Sequence, residues 1–436
     1  MFFTIDSKIL IDFFLKNKQT ISDITQYKKD KKYKRLLTKL YYDIKEADLY
    51  MVNKKMDKCF HKKIIKIETV NDIPKPTIYN SSFFPKNIRN EINIKSTYLL
   101  QYQCVIHKRK INLNFILFDD IENIENSELI DTYDKYAYSV YILISMLSTY
   151  TTIKCNKVLN IYVYFSDFKK YLPEKTYEII GPSNVNTGLT IGCNPTIKNT
   201  DGEIIIFRKE EWFKVLIHEC FHSMDMDFSS MDLSDINKKM YKIFPIDSDF
   251  NIFEAYTDVW SRILNSCFVS YNMIDHSRNK EMFMKYSTFL IELESKFSQM
   301  QCVKILNFMT LKYENIIDNN ASSTYLRNFL YKEKTNVFAY YILSSILFSS
   351  PCKFLKWCDE NNLSFIRFKN TKPNLESFYK LICLNYNKEE FLSKLRDCER
   401  IIKNTILNVT SDKKNSNIER CFFILNTLRM SLVEMA

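Results

Sequence analysis

Apolar residues recur at helical spacing within 9–15 and again within 36–49, so residues 1–75 read as helices. Prolines at 74, 76 and 85 break that pattern and mark a boundary. From about residue 97 the period falls to two. Segments 98–106 and 111–118 flank the basic turn His107-Lys108-Arg109-Lys110, which predicts a hairpin. A helix over 127–150 and a strand over 158–165 follow. The pattern then predicts an edge strand over 184–190, a turn at 199–202 and a return strand over 203–208 that runs into another helix. Beyond 225 almost everything has helical spacing: 251–270, 279–312, 323–331, 335–349 and shorter helices to 434. This order predicts an α+β protein with a Lys-rich helical region over 1–96, an α/β half over 97–224 and a helical lobe over 225–436.

Two of these helices carry polar stripes. At about 100° per residue, Trp212, Phe213, Leu216, Ile217, Cys220, Phe221 and Met224 fill one arc of the helix after the return strand. Glu211, Lys214, His218, His222 and Asp225 fill the other. On 251–267, Ile252, Phe253, Tyr256, Val259, Trp260, Ile263, Leu264 and Cys267 lie opposite Asn251, Glu254, Asp258, Ser261 and Asn265. A stripe facing solvent is the ordinary explanation of such a pattern.

The residues on the stripes favour a different one. His218-Glu219-Cys220-Phe221-His222 is an HExxH pattern, and residues four apart lie one above the other on a helix. His218 and His222 can therefore offer two imidazole nitrogens to one Zn²⁺, with Glu219 placed as general base. A catalytic zinc takes three protein ligands, and Glu254 is the candidate third. Asp258, on the same face as Glu254, can accept a hydrogen bond from the outer ring N–H of a histidine ligand. An oxyanion donor beyond the metal is also expected. Tyr341 is the first choice, ahead of Tyr340 and His276.

Composition narrows the class. An apolar share of 46% and an aromatic share of 15% exclude a disordered chain. Net charge is +11, much of it in 28–35 and around Lys54, Lys55, Lys58, Lys62 and Lys63. Such runs can follow phosphates or an anionic membrane, though a solvated helix face is the ordinary outcome. A peptide or protein substrate is the expected partner, and nucleic-acid attachment through the N-terminal helices is compatible with it. Twelve cysteines without a CxxC pair, and a start without a secretory pattern, predict a reduced, intracellular, cytoplasmic protein. The uncharged run 136–153 is rich in Ser, Thr and Tyr and reads as a buried helix rather than a membrane span. All four glycines lie between 181 and 202. They serve either turns or a close backbone approach, and an exposed edge strand there could hold an extended peptide.

Over residues 97–267 the chain resembles the gluzincin metallopeptidases, the thermolysin-like clan in which HExxH and a Glu on a later helix bind zinc. The resemblance implies a zincin-like core in which His218, His222 and Glu254 bind zinc, Glu219 is the base and Asp258 supports a histidine. The interval between His222 and Glu254 is longer than usual in that clan and calls for an inserted loop or short helix around 236–244. The chain is also similar in character to HExxH proteins of large DNA viruses, which implies a viral protein of the host cytoplasm or virion. The competing expectation is a zinc-binding or structural protein on the same scaffold that performs no hydrolysis. An intact Glu219 speaks against that, because a structural site has no use for a base.

Overall fold

The computed structural model describes residues 3–17, 30–54, 61–119, 128–152, 156–193, 201–274, 279–411 and 415–435. Its contacts divide the chain into two units, one of residues 39–169 and 186–230, the other of 1–38, 170–185 and 231–436. The three consecutive segments expected from the sequence are thus replaced by an interleaved division. The reason lies in pairing: His61–Lys66 within the N-terminal region joins the sheet, while residues 30–38 pack with the helical unit.

The first unit is built on a mixed sheet of six strands, β1 (His61–Lys66), β2 (Tyr98–Ile106), β3 (Arg109–Leu117), β4 (Val158–Tyr164), β5 (Gly188–Thr190) and β6 (Gly202–Ile206), in the order β1-β2-β3-β4-β6-β5. β3, β4 and β6 run parallel, and the two pairs at one edge and the pair at the other are antiparallel. The β2–β3 hairpin is tighter than expected. Ile106 already pairs with Arg109, so the turn is His107-Lys108 alone, with φ of 45° and 68°. A two-residue turn with both φ positive matches the twist of the strands it joins, which outweighs the usual reluctance of side chains to take that backbone.

Residues read as helical at 61–66 form the edge strand β1 instead. Its lysines are solvent-exposed, a common way of keeping a sheet edge from pairing with other chains. The expected edge strand over 184–190 is shortened to β5, because Pro182–Val185 forms a helical turn. The turn expected at 199–202 lies largely outside the described residues.

One sheet face packs Leu99, Ile116, Tyr164, Ile205 and Phe207 against Ile73, Tyr79, Phe84, Ile88 and Ile92 from the proline-marked segment and the helix Lys86–Lys95. On the other face Phe115 meets Tyr133 of the helix Glu128–Ser148 and Trp212 of the helix Trp212–Ser223. That last helix, termed the motif helix below, carries HExxH. The run expected to be a buried helix is one, with Val140, Tyr141, Leu143 and Ile144 fully enclosed.

The second unit is helical. Its centre is Ile252–Met273, the glutamate helix, beside Lys280–Phe308. Tyr256 and Trp260 of the apolar arc pack edge-on against Phe354, Phe365, Phe368 and Phe378. The stretch expected as one helix over 335–349 begins with a π-helical turn, Phe338–Leu343, before Ser344–Phe348. A short helix, Ser234–Ile243, occupies the interval in which an insertion was expected. Among the described residues no single helix is long and apolar enough to cross a membrane.

Candidate metal centre

The polar stripes do not face solvent. His218 is 5% exposed, Glu219 6%, Glu254 9% and Asp258 0%. Burying titratable groups costs several kcal/mol unless other groups or an ion compensate it, so stripes of this composition are expected to be held by specific partners.

On the motif helix the two imidazoles meet, with ring centroids 4.8 Å apart and their Nε2 atoms separated by 3.1 Å. Two nitrogens bound to one tetrahedral zinc at ~2.05 Å would stand roughly 3.3 Å apart. Nδ1 of His222 is hydrogen-bonded to Asp227 Oδ2. A carboxylate there selects the tautomer that carries its proton on Nδ1, which leaves the Nε2 lone pair turned toward His218. Asp227 is itself fixed, since its Oδ1 accepts from the Ser229 amide (3.1 Å) and hydroxyl (2.8 Å).

The C-terminal end of the motif helix is tied down by neighbouring loops. Asn156 donates through Nδ2 to the carbonyl and hydroxyl of Ser223, and Arg109 donates to the Asn156 carbonyl. The Cys193 amide donates to the carbonyl of His222 (3.2 Å). Cys193 is disulfide-bonded, which corrects the expectation of a wholly reduced chain, whereas the nine other described cysteines are in no disulfide. Cys220 lies on the packing side, and burial pushes its thiol far up, so it stays a protonated core residue.

Glu254 sits in the first turn of the glutamate helix, where the unpaired backbone amides favour a carboxylate. Its Oε1 accepts from Asn336 Nδ2 at 3.1 Å. Asp258, expected to support a histidine, makes an ion pair with Arg262 one turn along at 2.8 Å, both side chains fully buried. A buried guanidinium offsets part of the cost of enclosing such a carboxylate.

His218, His222 and Glu254 form a group that could hold a metal ion, with one ligand atom from each lying within 4.8 Å of the others. Tyr341, expected as oxyanion donor, is fully buried and its hydroxyl donates to the Leu428 carbonyl at 2.7 Å. That bond satisfies the hydroxyl within the helical unit and gives Tyr341 a structural task. Tyr340 is partly exposed on the π-helical turn, and His276 lies outside the described residues.

Asp227 and Asn336 were not found from the sequence. Asp227 lies beyond the helix, after Asp225 turns the chain at φ 57°, so no helical spacing points to it. Its signal was the alternation of Asp225 and Asp227 with Met224, Met226 and Phe228 just after HExxH. Asn336 is remote in sequence from Glu254 and gave none. No protein-family model matches the chain, and no curated protein and no solved structure matches it.

Proposed function

We propose that this chain is a zinc-dependent metallopeptidase of the gluzincin type, with a zincin-like catalytic core. The observation that carries the reading is the convergence of the His218 and His222 nitrogens, 3.1 Å apart, with the Glu254 carboxylate, beside Glu219 on the same helix. Two imidazoles and one carboxylate suit zinc, and three protein ligands are the number that a catalytic zinc keeps. When bound there, zinc would polarise a peptide carbonyl and ease deprotonation of water.

The protein's own groups supply the rest. Glu219 takes a proton from water as the new C–O bond forms and later returns it to the leaving amine, so one carboxylate serves as base and then as acid. Asp227 holds the His222 ring in register through both steps.

The test is Glu219→Gln. The variant should retain about one zinc per chain by elemental analysis and lose about 10²- to 10⁴-fold in cleavage of a quenched peptide library. Full peptidase activity in that variant would sink the assignment, and zinc retention without any turnover in the parent protein would leave a binding role in its place.

A further inference from the structure

We propose that Asn336 is a positioning residue that commits Glu254 to binding a metal through one oxygen, which keeps a coordination position clear for water or substrate. The inference rests on the metal-centre reading above and adds to it the residue that sets the ligation mode.

Glu254 is gripped at two points. Its backbone N–H donates to the Asn251 carbonyl at 2.9 Å, and its Oε1 accepts from Asn336 Nδ2 at 3.1 Å. The two asparagines are linked, because Asn251 Nδ2 donates to Asn336 Oδ1 at 2.9 Å. That bond orients the Asn336 amide, since an Oδ1 engaged as acceptor turns the NH₂ group toward Glu254.

Asn336 is in turn built into a rigid corner. Its carbonyl accepts from the Tyr340 amide at 2.9 Å as the chain enters the π-helical turn Phe338–Leu343. The first amide of that turn, Phe338 N, donates to the Glu333 carboxylate at 2.7 Å, which also accepts from the hydroxyls of Tyr331 and Ser248. Ser248 lies just before Asn251, so Glu333 fastens together the two segments that carry the two asparagines. Burial raises the pKa of Glu333 above its ordinary value, against the opposing pull of its hydrogen-bond donors. π-helical turns inside helices recur where a side chain must be re-aimed at a functional site.

The consequence follows from coordination chemistry. A carboxylate with both oxygens on the ion would fill the place that a catalytic zinc reserves for water. An oxygen engaged by an amide N–H is the poorer donor to an ion, so the Asn336 bond favours ligation through the other oxygen and resists the rotation that would bring both onto the metal.

The experiment replaces zinc with cobalt(II), whose visible absorption reports coordination number, and measures affinity by competition with a chromogenic chelator. The parent protein should give the intense bands of four-coordinate cobalt. Asn336→Leu, close in size and without a donor, should give the weaker bands of five-coordinate cobalt and bind about 10- to 100-fold less tightly. Asn251→Ala, which removes only the group that orients Asn336, should shift both readouts in the same direction by less. It serves also if Asn336→Leu fails to fold. Parent-like spectrum and affinity in the folded Asn336→Leu protein, or in Asn251→Ala if the first is unfolded, would overturn the inference alone. Failure of the parent protein to bind either ion would overturn the metal-centre reading itself.

Discussion

Asp227 reaches the candidate centre through the His222 ring and is not itself one of the three residues that could hold the ion, so its replacement separates orientation from ligation. Alanine at 227 leaves both imidazoles and Glu254 in place but releases the proton on Nδ1 and the ring torsion. Outer hydrogen bonds of this kind are worth about 10- to 100-fold in metal affinity. Asp227→Ala should therefore weaken zinc binding by that factor in chelator competition, and unchanged affinity would show that the ring is held by packing instead. Tyr341 gives the complementary case. Its hydroxyl satisfies the buried Leu428 carbonyl, so Tyr341→Phe should lower stability by about 1–3 kcal/mol in urea unfolding. Its kcat should stay near the parent value. A hundredfold loss of kcat with stability intact would restore the role expected of Tyr341 as oxyanion donor.

Among the elements, β5 illustrates what periodicity conveys and what it does not. A Cβ at Gly188 would stand 2.8 Å from Ile206 Cδ1, 2.8 Å from Val215 Cγ1 and 3.0 Å from the Ile205 carbonyl. Its φ is not positive, so the glycine is there for close approach of β5 to β6 and the motif helix, not for a turn. Gly188→Val should destabilise by about 1–3 kcal/mol through overpacking, read as a lower urea midpoint at unchanged slope. A parent-like midpoint would mean that β5 moves aside freely. The same pairing explains the elements that the hydrophobic pattern misread. Among the described residues the strand β1 pairs with β2 alone, and a short Lys-rich segment carries too little alternation to announce it. The long helices were legible because each buries a continuous apolar arc. A second element-scale test concerns Asp30, which accepts from Lys356 on the helix Pro351–Asn361 and from the Tyr33 amide at the start of the helix Lys31–Asn53. The Lys356 ammonium, then the Tyr33 amide, lower its pKa from 3.8 to about 2. A carboxylate depressed in the folded state contributes stability above its unfolded value that disappears as pH falls through the folded one. Asp30→Asn should thus lose stability relative to the parent at neutral pH, with the gap closing between about pH 4 and pH 2 in acid titrations followed by circular dichroism. A gap independent of pH would show that the ion pair is not its cause.

For the molecule as a whole, the group that could hold a metal was legible because helical spacing alone aligns His218 with His222 and singles out Glu254 on the polar face of its helix. The supports of that set were not, because Asp227 and Asn336 reach it through chain reversals and contacts remote in sequence. The charge pattern was only partly informative for the same reason. The basic run before residue 36 pairs in part with the helix Pro351–Asn361, through Lys32 to Asp359 and Glu360 and Arg35 to Asp359. Ion pairing of this sort leaves the basic run with less local charge for a nucleic acid than its own lysines and arginines imply. If the three ligands act together, zinc must stabilise the folded chain, since an ion that binds the native state and not the unfolded one shifts the equilibrium by mass action. At free zinc ~100-fold above Kd the gain is about 2.7 kcal/mol. At about 2–4 °C per kcal/mol for bodies of roughly 150–250 residues, thermal scans should show a rise of several degrees over the chelated protein. Histidine-to-alanine replacement at 222 and glutamate-to-alanine replacement at 254 should each abolish most of that rise while Glu219→Gln retains it. A zinc-dependent rise that survives the loss of Glu254 would place the ion elsewhere, and the glutamate helix would then owe its buried carboxylates to packing alone.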